Sequence, residues 1–396
     1  MAKFDPNRYE QQFMSWRNKG SLMPIITPEN RQLILDYIAD MEIGLNVNPA
    51  SRKGARSFCS LQSIYTKMNT LTILLEKELQ IKSFADIKDL DLIRFFKNLR
   101  DGKFNRRDKA EPIVAAGTYV TMFKAFWHWY MRVQRKKNII IEDITLDLDA
   151  TCIKPKFNYF TVDDLRSIAN ESNHFYRILM WFMFDSGIRL PTELMNIRVS
   201  DLEWTDGFYA LNIRDETSKT FGRKIKLLLC SEMLRDYIKN RNLTADTYIF
   251  KRDPAHINQY LKNIGYKLLK IGTAKEQTYE NGRKQTNVIN GLTMYDFRHS
   301  SACFWLPRYK SESAMKYRFG WKKSEMIEYY TSYLGMRDTV TKDDLYVGKD
   351  KPALERQLKE LDAQKALLQE QMESSKREID AMLKEARALV KERTEL

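Results

Sequence analysis

The 396-residue sequence predicts a mainly α fold with a small β-hairpin or sheet, an α+β arrangement of two helix-rich domains and a C-terminal coiled-coil helix. Three observations carry this expectation. Apolar residues recur at helical spacing through most of the chain, with Gly and Pro sparse. One segment alternates with period two: Tyr209, Leu211 and Ile213, then Ile225, Leu227 and Leu229, around the turn region "RDETSKTFGRK". The last stretch, 351–396, carries a heptad seam. Leu354, Leu361, Leu368, Met382 and Leu389 fall at d, and Leu358, Met372, Ile379 and Ala386 at a, with Ser375, Lys365 and Arg393 as polar breaks.

In chain order, residues 1–27 read as an N-terminal arm and 28–145 as a helical domain of four segments. The first begins after "TPEN", with Thr27 as N-cap and Pro28 in the first turn. The second is "SLQSIYTKMNTLTILLEKEL", with Leu61, Ile64, Met68, Leu71 and Leu75 on one face, and the third is "DLDLIRFFKNLR". The fourth places Tyr119, Met122, Phe123, Phe126, Trp127 and Tyr130 in one stripe, which predicts core rather than a base-stacking platform. A linker at 146–157 contains Pro155, which disfavours helix. Thr161 then caps the first helix of a second domain, 158–348.

Charge points to the partner. The formal net charge is +14, from 66 basic and 52 acidic residues. From Lys351 onward there are ten of each sign, 10 − 10 = 0, so the excess lies in residues 1–350. Such a surplus on a folded chain predicts a polyanion, most simply nucleic acid. Basic connectors between helices supply candidate phosphate contacts: Arg52, Lys53 and Arg56 in "SRKGARS", and Arg106 and Arg107 in "RDGKFNRRDK". Lys154 and Lys156 in the linker join them. The four cysteines and four histidines are scattered without C-x-x-C spacing, so neither a zinc site nor a disulfide framework is expected. No apolar run approaches membrane-spanning length and the N-terminus lacks an apolar signal region. A cytoplasmic, nucleoid-associated protein with no membrane partner is expected.

Four stretches of the second domain matter together. "SGIRLPTELMNIRVSDLEW" places Arg189 after a tight Gly and before an amphipathic helix; "TSKT" places Lys219 at the hairpin turn. "TMYDFRHSSACFW" opens a helix with Tyr295, Arg298 and His299, and "FGWKKSEMIEYYTSY" carries Trp321 and three tyrosines. Taken singly, Arg189 reads equally as a surface ion pair and Lys219 as an ordinary turn lysine.

As a set they resemble the catalytic domain of the tyrosine recombinases, the phage-integrase and Xer-type family, in its archaeal-type Tyr-x-x-Arg variant. The family order is Arg, Lys in a β-hairpin, His-x-x-Arg, His or Trp, then Tyr. Here Arg298 to Trp321 spans 321 − 298 = 23 residues and Trp321 to Tyr330 spans 330 − 321 = 9, which selects Tyr330 over Tyr329 and Tyr333. The helical module and lysine-bearing linker resemble the family's core-binding domain, so the likeness covers about residues 28–335. Two departures are visible. Tyr295 stands where the family usually has His, and Glu193 comes four residues after Arg189 where the family's acidic residue comes three after.

The resemblance implies transesterification: a phenol attacks a DNA phosphodiester, giving a 3′-phosphotyrosyl link and a 5′-hydroxyl. Arg189 and Arg298 would clamp the nonbridging oxygens, because planar guanidinium forks match such an anion. Lys219 would protonate the leaving oxygen. Trp321 and Tyr295 would donate hydrogen bonds to the phosphate. His299 would either act as the base or pack at the helix start. Met326, Tyr330 and Tyr333 share a helical face, which predicts Tyr333 packed beneath the nucleophile. Neither metal nor ATP nor any other cofactor is implied. Expected partners are DNA with inverted half-sites and further copies of the chain, a dimer on each site and a tetramer in synapsis. A type IB topoisomerase-like enzyme, a DNA-binding regulator with a degenerate site, and a metal-dependent nuclease or transposase remain alternatives.

Overall fold

The protein, seen here as a computed structural model, is described for residues 3–18, 25–47, 54–105, 112–113, 115–152, 157–278, 284–309 and 311–334, for 276–278 and 284–286 as main chain only. Six residues of the tail are also described: Leu361, Lys365, Leu368, Gln369, Met372 and Lys376. The chain divides into two compact units, Met1–Ile327 and Glu328–Leu396.

The first unit begins with α1 (Tyr9–Asn18), α2 (Pro28–Ile43), α3 (Phe58–Leu79), α4 (Asp89–Arg100) and α5 (Ala116–Lys136). The aromatic stripe of α5 is core: Phe123, Phe126, Trp127 and Tyr130 are buried with Phe84, Phe95 and Phe96 from the α3–α4 region. Helix α1 belongs to the same cluster through Phe13, although no helix was expected there. Thr27 precedes α2, but its hydroxyl, with one proton to give, stands within hydrogen-bond reach of Glu76 Oε1 (2.8 Å) and the Lys82 carbonyl (2.9 Å) instead of accepting from the helix. Glu76 also takes the Thr27 amide and the Asn30 side chain, so one carboxylate holds the start of α2 against the end of α3.

A second hydrophobic cluster spans Phe160 to Phe297. It is built on α6 (Val162–Asn170), α7 (His174–Ser186), α8 (Thr192–Met195), α9 (Ser231–Asn240), α10 (Pro254–Leu269) and α11 (Met294–Trp305), with α12 (Glu312–Phe319) after them. Thr161, the expected cap, forms a reciprocal capping box with Asp164 at the start of α6. Helix α7 is apolar almost throughout, and it is buried accordingly.

The strands are β1 (Leu202–Thr205), β2 (Phe208–Ile213), β3 (Arg223–Leu227), β4 (Thr273–Thr278) and β5 (Lys284–Ile289). The expected hairpin is β2–β3, with Leu211 opposite Ile225 and Tyr209 opposite Leu227. Strand β3 ends at Leu227, and Leu229 is exposed rather than continuing the alternation. Two further pairings were not expected: β1 extends the sheet to the order β1–β2–β3, and β4–β5 form a second antiparallel ribbon leading into α11. The amphipathic helix expected after Arg189 is only the four residues of α8. The chain then turns into β1 as the Arg198 amide donates to Asp201 Oδ2 (2.9 Å).

Near the N-terminus, the Asn196 side chain grips the main chain of Phe4, accepting from its amide and donating to its carbonyl, both at 2.8 Å. The Phe4 ring packs against the second cluster and lies 4.7 Å from Lys251 Nζ.

Helix α13 (Glu325–Leu334) carries the three tyrosines and crosses the boundary between the units. The coiled-coil reading of 351–396 falls almost wholly outside the described residues; the six that are described are helical and exposed. No described helix is long and apolar enough to cross a membrane.

Candidate active site

Arg189 sits on the loop after α7. Gly187 caps that helix at φ 57°, in the left-handed region, and a Cβ there would lie 2.3 Å from the Phe319 ring. The close approach seats the end of α12 against the start of the Arg189 loop. The Arg189 guanidinium donates to Glu193 Oε1 (3.0 Å), to Thr220 Oγ1 (2.9 Å) and to the Gly320 carbonyl. Glu193 is buried and also accepts the Arg189 amide (3.1 Å).

Arg298, on α11 and buried, donates to the Gly187 carbonyl and to the Phe319 carbonyl (2.8 Å). Its guanidinium carbon lies 5.4 Å from the Phe319 ring centroid. Gly320 ends α12 at φ 65°. A Cβ on it would meet Arg189 Nη1 at 2.9 Å and Arg223 Nη1 at 3.0 Å, so the arginines occupy the space a side chain would take. Trp321 is buried and stacks on Phe319 at 4.8 Å.

Lys219 lies in the β2–β3 turn and is exposed. Both neighbours are anchored: Ser218 Oγ donates to Glu193 Oε1 (2.9 Å) and Thr220 Oγ1 to the Gly320 carbonyl (2.9 Å). The turn is therefore fastened to the arginine cluster while the lysine projects from it. Tyr295, one turn before Arg298 on α11, is 52% exposed. His299 stacks on Phe157 at 4.5 Å, and burial, with the Arg298 charge, lowers its pKa below the ordinary value although Asp296 opposes this.

Sequence reasoning noted Glu193 but missed Arg223. Its guanidinium is fully buried and gives two bonds to Glu193, 2.8 Å to Oε2 and 3.3 Å to Oε1, and its Nε donates to the Arg318 carbonyl (2.9 Å). The available signal was the alternation Arg223, Ile225, Leu227, which places the arginine on the inward face. Burial raises the Glu193 pKa; hydrogen bonds and charge from Arg223 and then Arg189 overcome this and hold it at about 2. A second buried pair, Arg318 with Asp185 at 3.1 Å, lies beneath the site.

Within the second unit, Tyr330 is 1% exposed and its ring meets Tyr329 edge-on at 5.1 Å. Tyr333, expected beneath Tyr330, is 47% exposed. Of the basic residues assigned to DNA, Arg52, Lys53, Arg106, Arg107, Lys154 and Lys156 lie outside the described residues; the Arg56 amide donates to the Met41 carbonyl (2.8 Å).

No family model matches the chain and no curated protein matches it. Solved structures do. A lambda integrase dimer bound to a COC′ core site matches at TM-score 0.51 and 16% identity, covering 86% of this chain and 87% of that one. The Tn1549 transposon integrase in complex with a circular intermediate DNA matches at 0.51 and 12%, covering 83% and 99%. The XerH site-specific recombinase bound to palindromic difH substrate matches at 0.50 and 12%, covering 82% and 91%. The fold of this chain is therefore that of the tyrosine recombinases.

Proposed function

We propose that the chain is a site-specific DNA recombinase or integrase, cutting and rejoining DNA through a 3′-phosphotyrosyl intermediate without metal or ATP. The observation that carries this reading is the pairing of Arg189 and Arg298 on the adjacent carbonyls of Gly320 and Phe319, beside a hairpin turn that presents Lys219. Two fixed guanidiniums suit the dianionic phosphorane, since charge-assisted forks placed in advance need no reorganisation as the anion develops.

In the proposed step, the Tyr330 oxygen bonds to phosphorus and the 5′-oxygen leaves with a proton from Lys219. Tyr295 and Trp321 donate to the phosphate oxygens. His299, with its lowered pKa, is the imidazole we assign to take the phenol proton. Rejoining reverses the same steps, and the phosphotyrosyl bond conserves the energy that ATP would otherwise provide.

Residues 28–145 are proposed as the core-binding domain, 158–348 as the catalytic domain, 146–157 as the linker along the DNA, and 1–27 as an arm. Arg52, Lys53, Arg56, Arg106, Arg107, Lys154 and Lys156 are proposed phosphate contacts. Each one engaged should steepen the loss of affinity with salt by about one unit in the log–log slope. Two protomers on inverted half-sites and four in synapsis are the expected assembly, with the tail as an added oligomer contact.

The test begins with a duplex selected from a randomised library on the purified protein. Strand exchange between two differently labelled copies of that duplex, persisting in EDTA, supports the proposal. Relaxation of a supercoiled circle without exchange points to a topoisomerase-like enzyme. Binding without either reaction points to a regulator.

A further inference from the structure

Glu193 is an ionised carboxylate with almost no access to water, and its oxygens are fully used. They accept two bonds from Arg223, one from the Arg189 side chain, one from the Arg189 amide and one from Ser218. A carboxylate offers about four lone-pair positions, so no capacity is left over. Of the two guanidiniums, Arg189 keeps 18% of its side chain exposed whereas Arg223 keeps none. Only Arg189 is in a position to meet a DNA phosphate; Arg223 is enclosed by Glu193 and the Arg318 carbonyl.

The charges then decide what each residue does. Arg189, Arg223 and Glu193 sum to (+1) + (+1) + (−1) = +1. Without Arg223 the sum is zero, and Arg189 is spent on a buried carboxylate at 3.0 Å rather than on a substrate. Two guanidiniums packed against the same Gly320 would repel each other, and the carboxylate between them is what allows both to stay. At low local dielectric such pairings are far stronger than in water.

We propose that Arg223 is a positioning residue: it takes up the charge of Glu193 and so leaves that of Arg189 to the scissile phosphate. This rests on the recombinase reading, and it adds to that reading a buried arginine that never touches DNA yet sets the reaction rate.

The test uses full-length protein and a nicked suicide duplex carrying the library-selected site. Single-turnover adduct formation, duplex affinity and the thermal melting transition are measured together. Arg223→Met should slow adduct formation about 10²-fold, the scale for losing one preorganised donor, while duplex affinity stays within about threefold. Arg223→Lys loses the two-pronged bond to Glu193 but keeps the charge, and should cleave at least about tenfold faster than Arg223→Met. The double variant Arg223→Met with Glu193→Gln restores the +1 sum and should recover at least about tenfold of the lost rate, compared among variants that melt cooperatively so that the recovery is read in the chemistry and not in the folded fraction.

Arg223→Met cleaving at the wild-type rate overturns the proposal. So does a double variant as slow as Arg223→Met, or a cooperatively melting Arg223→Lys that is equally slow. Should Arg223→Met not melt cooperatively, the double variant is compared with Glu193→Gln alone: similar rates support the proposal, and a further 10²-fold loss overturns it. Absence of any wild-type adduct would instead sink the recombinase reading itself, so the two failures are distinct.

Discussion

Arg189 and Arg298 stand 109 residues apart in sequence (298 − 189) yet donate to consecutive carbonyls, those of Gly320 and Phe319. Neighbouring Cα atoms are about 3.8 Å apart, so one short segment at the end of α12 sets the separation of both guanidiniums. The proposed clamp thus depends on a backbone turn as much as on the arginines. Arg298→Lys and Arg189→Lys should each lower adduct formation by about 10²-fold, because a lysine cannot offer the planar fork that binds carbonyl and phosphate together. Single-turnover cleavage with separately measured DNA affinity checks this.

The turn itself is open to test. Gly320→Ala places a methyl 2.9 Å from Arg189 Nη1 at a φ of 65°, and Gly187→Ala places one 2.3 Å from the Phe319 ring at a φ of 57°. The left-handed backbone alone costs a non-glycine residue about 1 kcal/mol, and overpacking adds roughly 1–3 kcal/mol. Gly187→Ala should be the more destabilising in urea, since a ring wedged between elements yields less than the end of an arginine. Gly320→Ala should lose proportionately more cleavage than stability.

Glu193 makes stability depend on pH in a defined window. Its pKa is held at about 2, below the ordinary 4.5, so its contribution is fully present above pH 4.5 and is lost as pH falls through about 2. A shift of that size corresponds to an order of about 3 kcal/mol. Chemical denaturation from pH 6 down to pH 2 should show this decline in wild type. Glu193→Gln should be flatter over the same window.

The Arg318–Asp185 pair makes a purely structural contrast. Both side chains are almost fully enclosed, and Arg318 also donates to the carbonyls of Lys226 and Asp185 and to the Tyr309 hydroxyl. Burial pushes the Asp185 pKa up, against the pull of Arg318 and the amides of Leu229 and Cys230. Arg318→Met strands that carboxyl and should cost about 3–5 kcal/mol in equilibrium unfolding. Asp185→Asn with Arg318→Met should recover part of it.

Much of this was legible in the sequence where a local signal matched the tertiary outcome. Helix α4 coincides with "DLDLIRFFKNLR", Thr161 announces the α6 cap, and the α5 stripe is core because its aromatic residues fall on one helical face. What escaped lacked such a signal. Strands β4 and β5 are mostly polar and pair with each other, so neither shows the alternation of a half-buried strand. Strand β1 has only four residues and borrows its register from β2. Phe13 in α1 becomes core only because α3 lies against it. Arg223 was visible as a charge but not as a buried one, since its partner is 30 residues away. Nothing in the spacing of the chain states that Phe319 and Gly320 will carry both arginines.

The central claim is that one phenol, that of Tyr330, becomes covalently joined to DNA. The direct measurement is adduct formation on a nicked suicide duplex carrying the selected site, resolved by denaturing electrophoresis and peptide mapping. Wild type, Tyr329→Phe and Tyr333→Phe should form the adduct, linked to the peptide containing Tyr330, and Tyr330→Phe should form none. An adduct that survives in Tyr330→Phe, or that maps to another residue, contradicts the account.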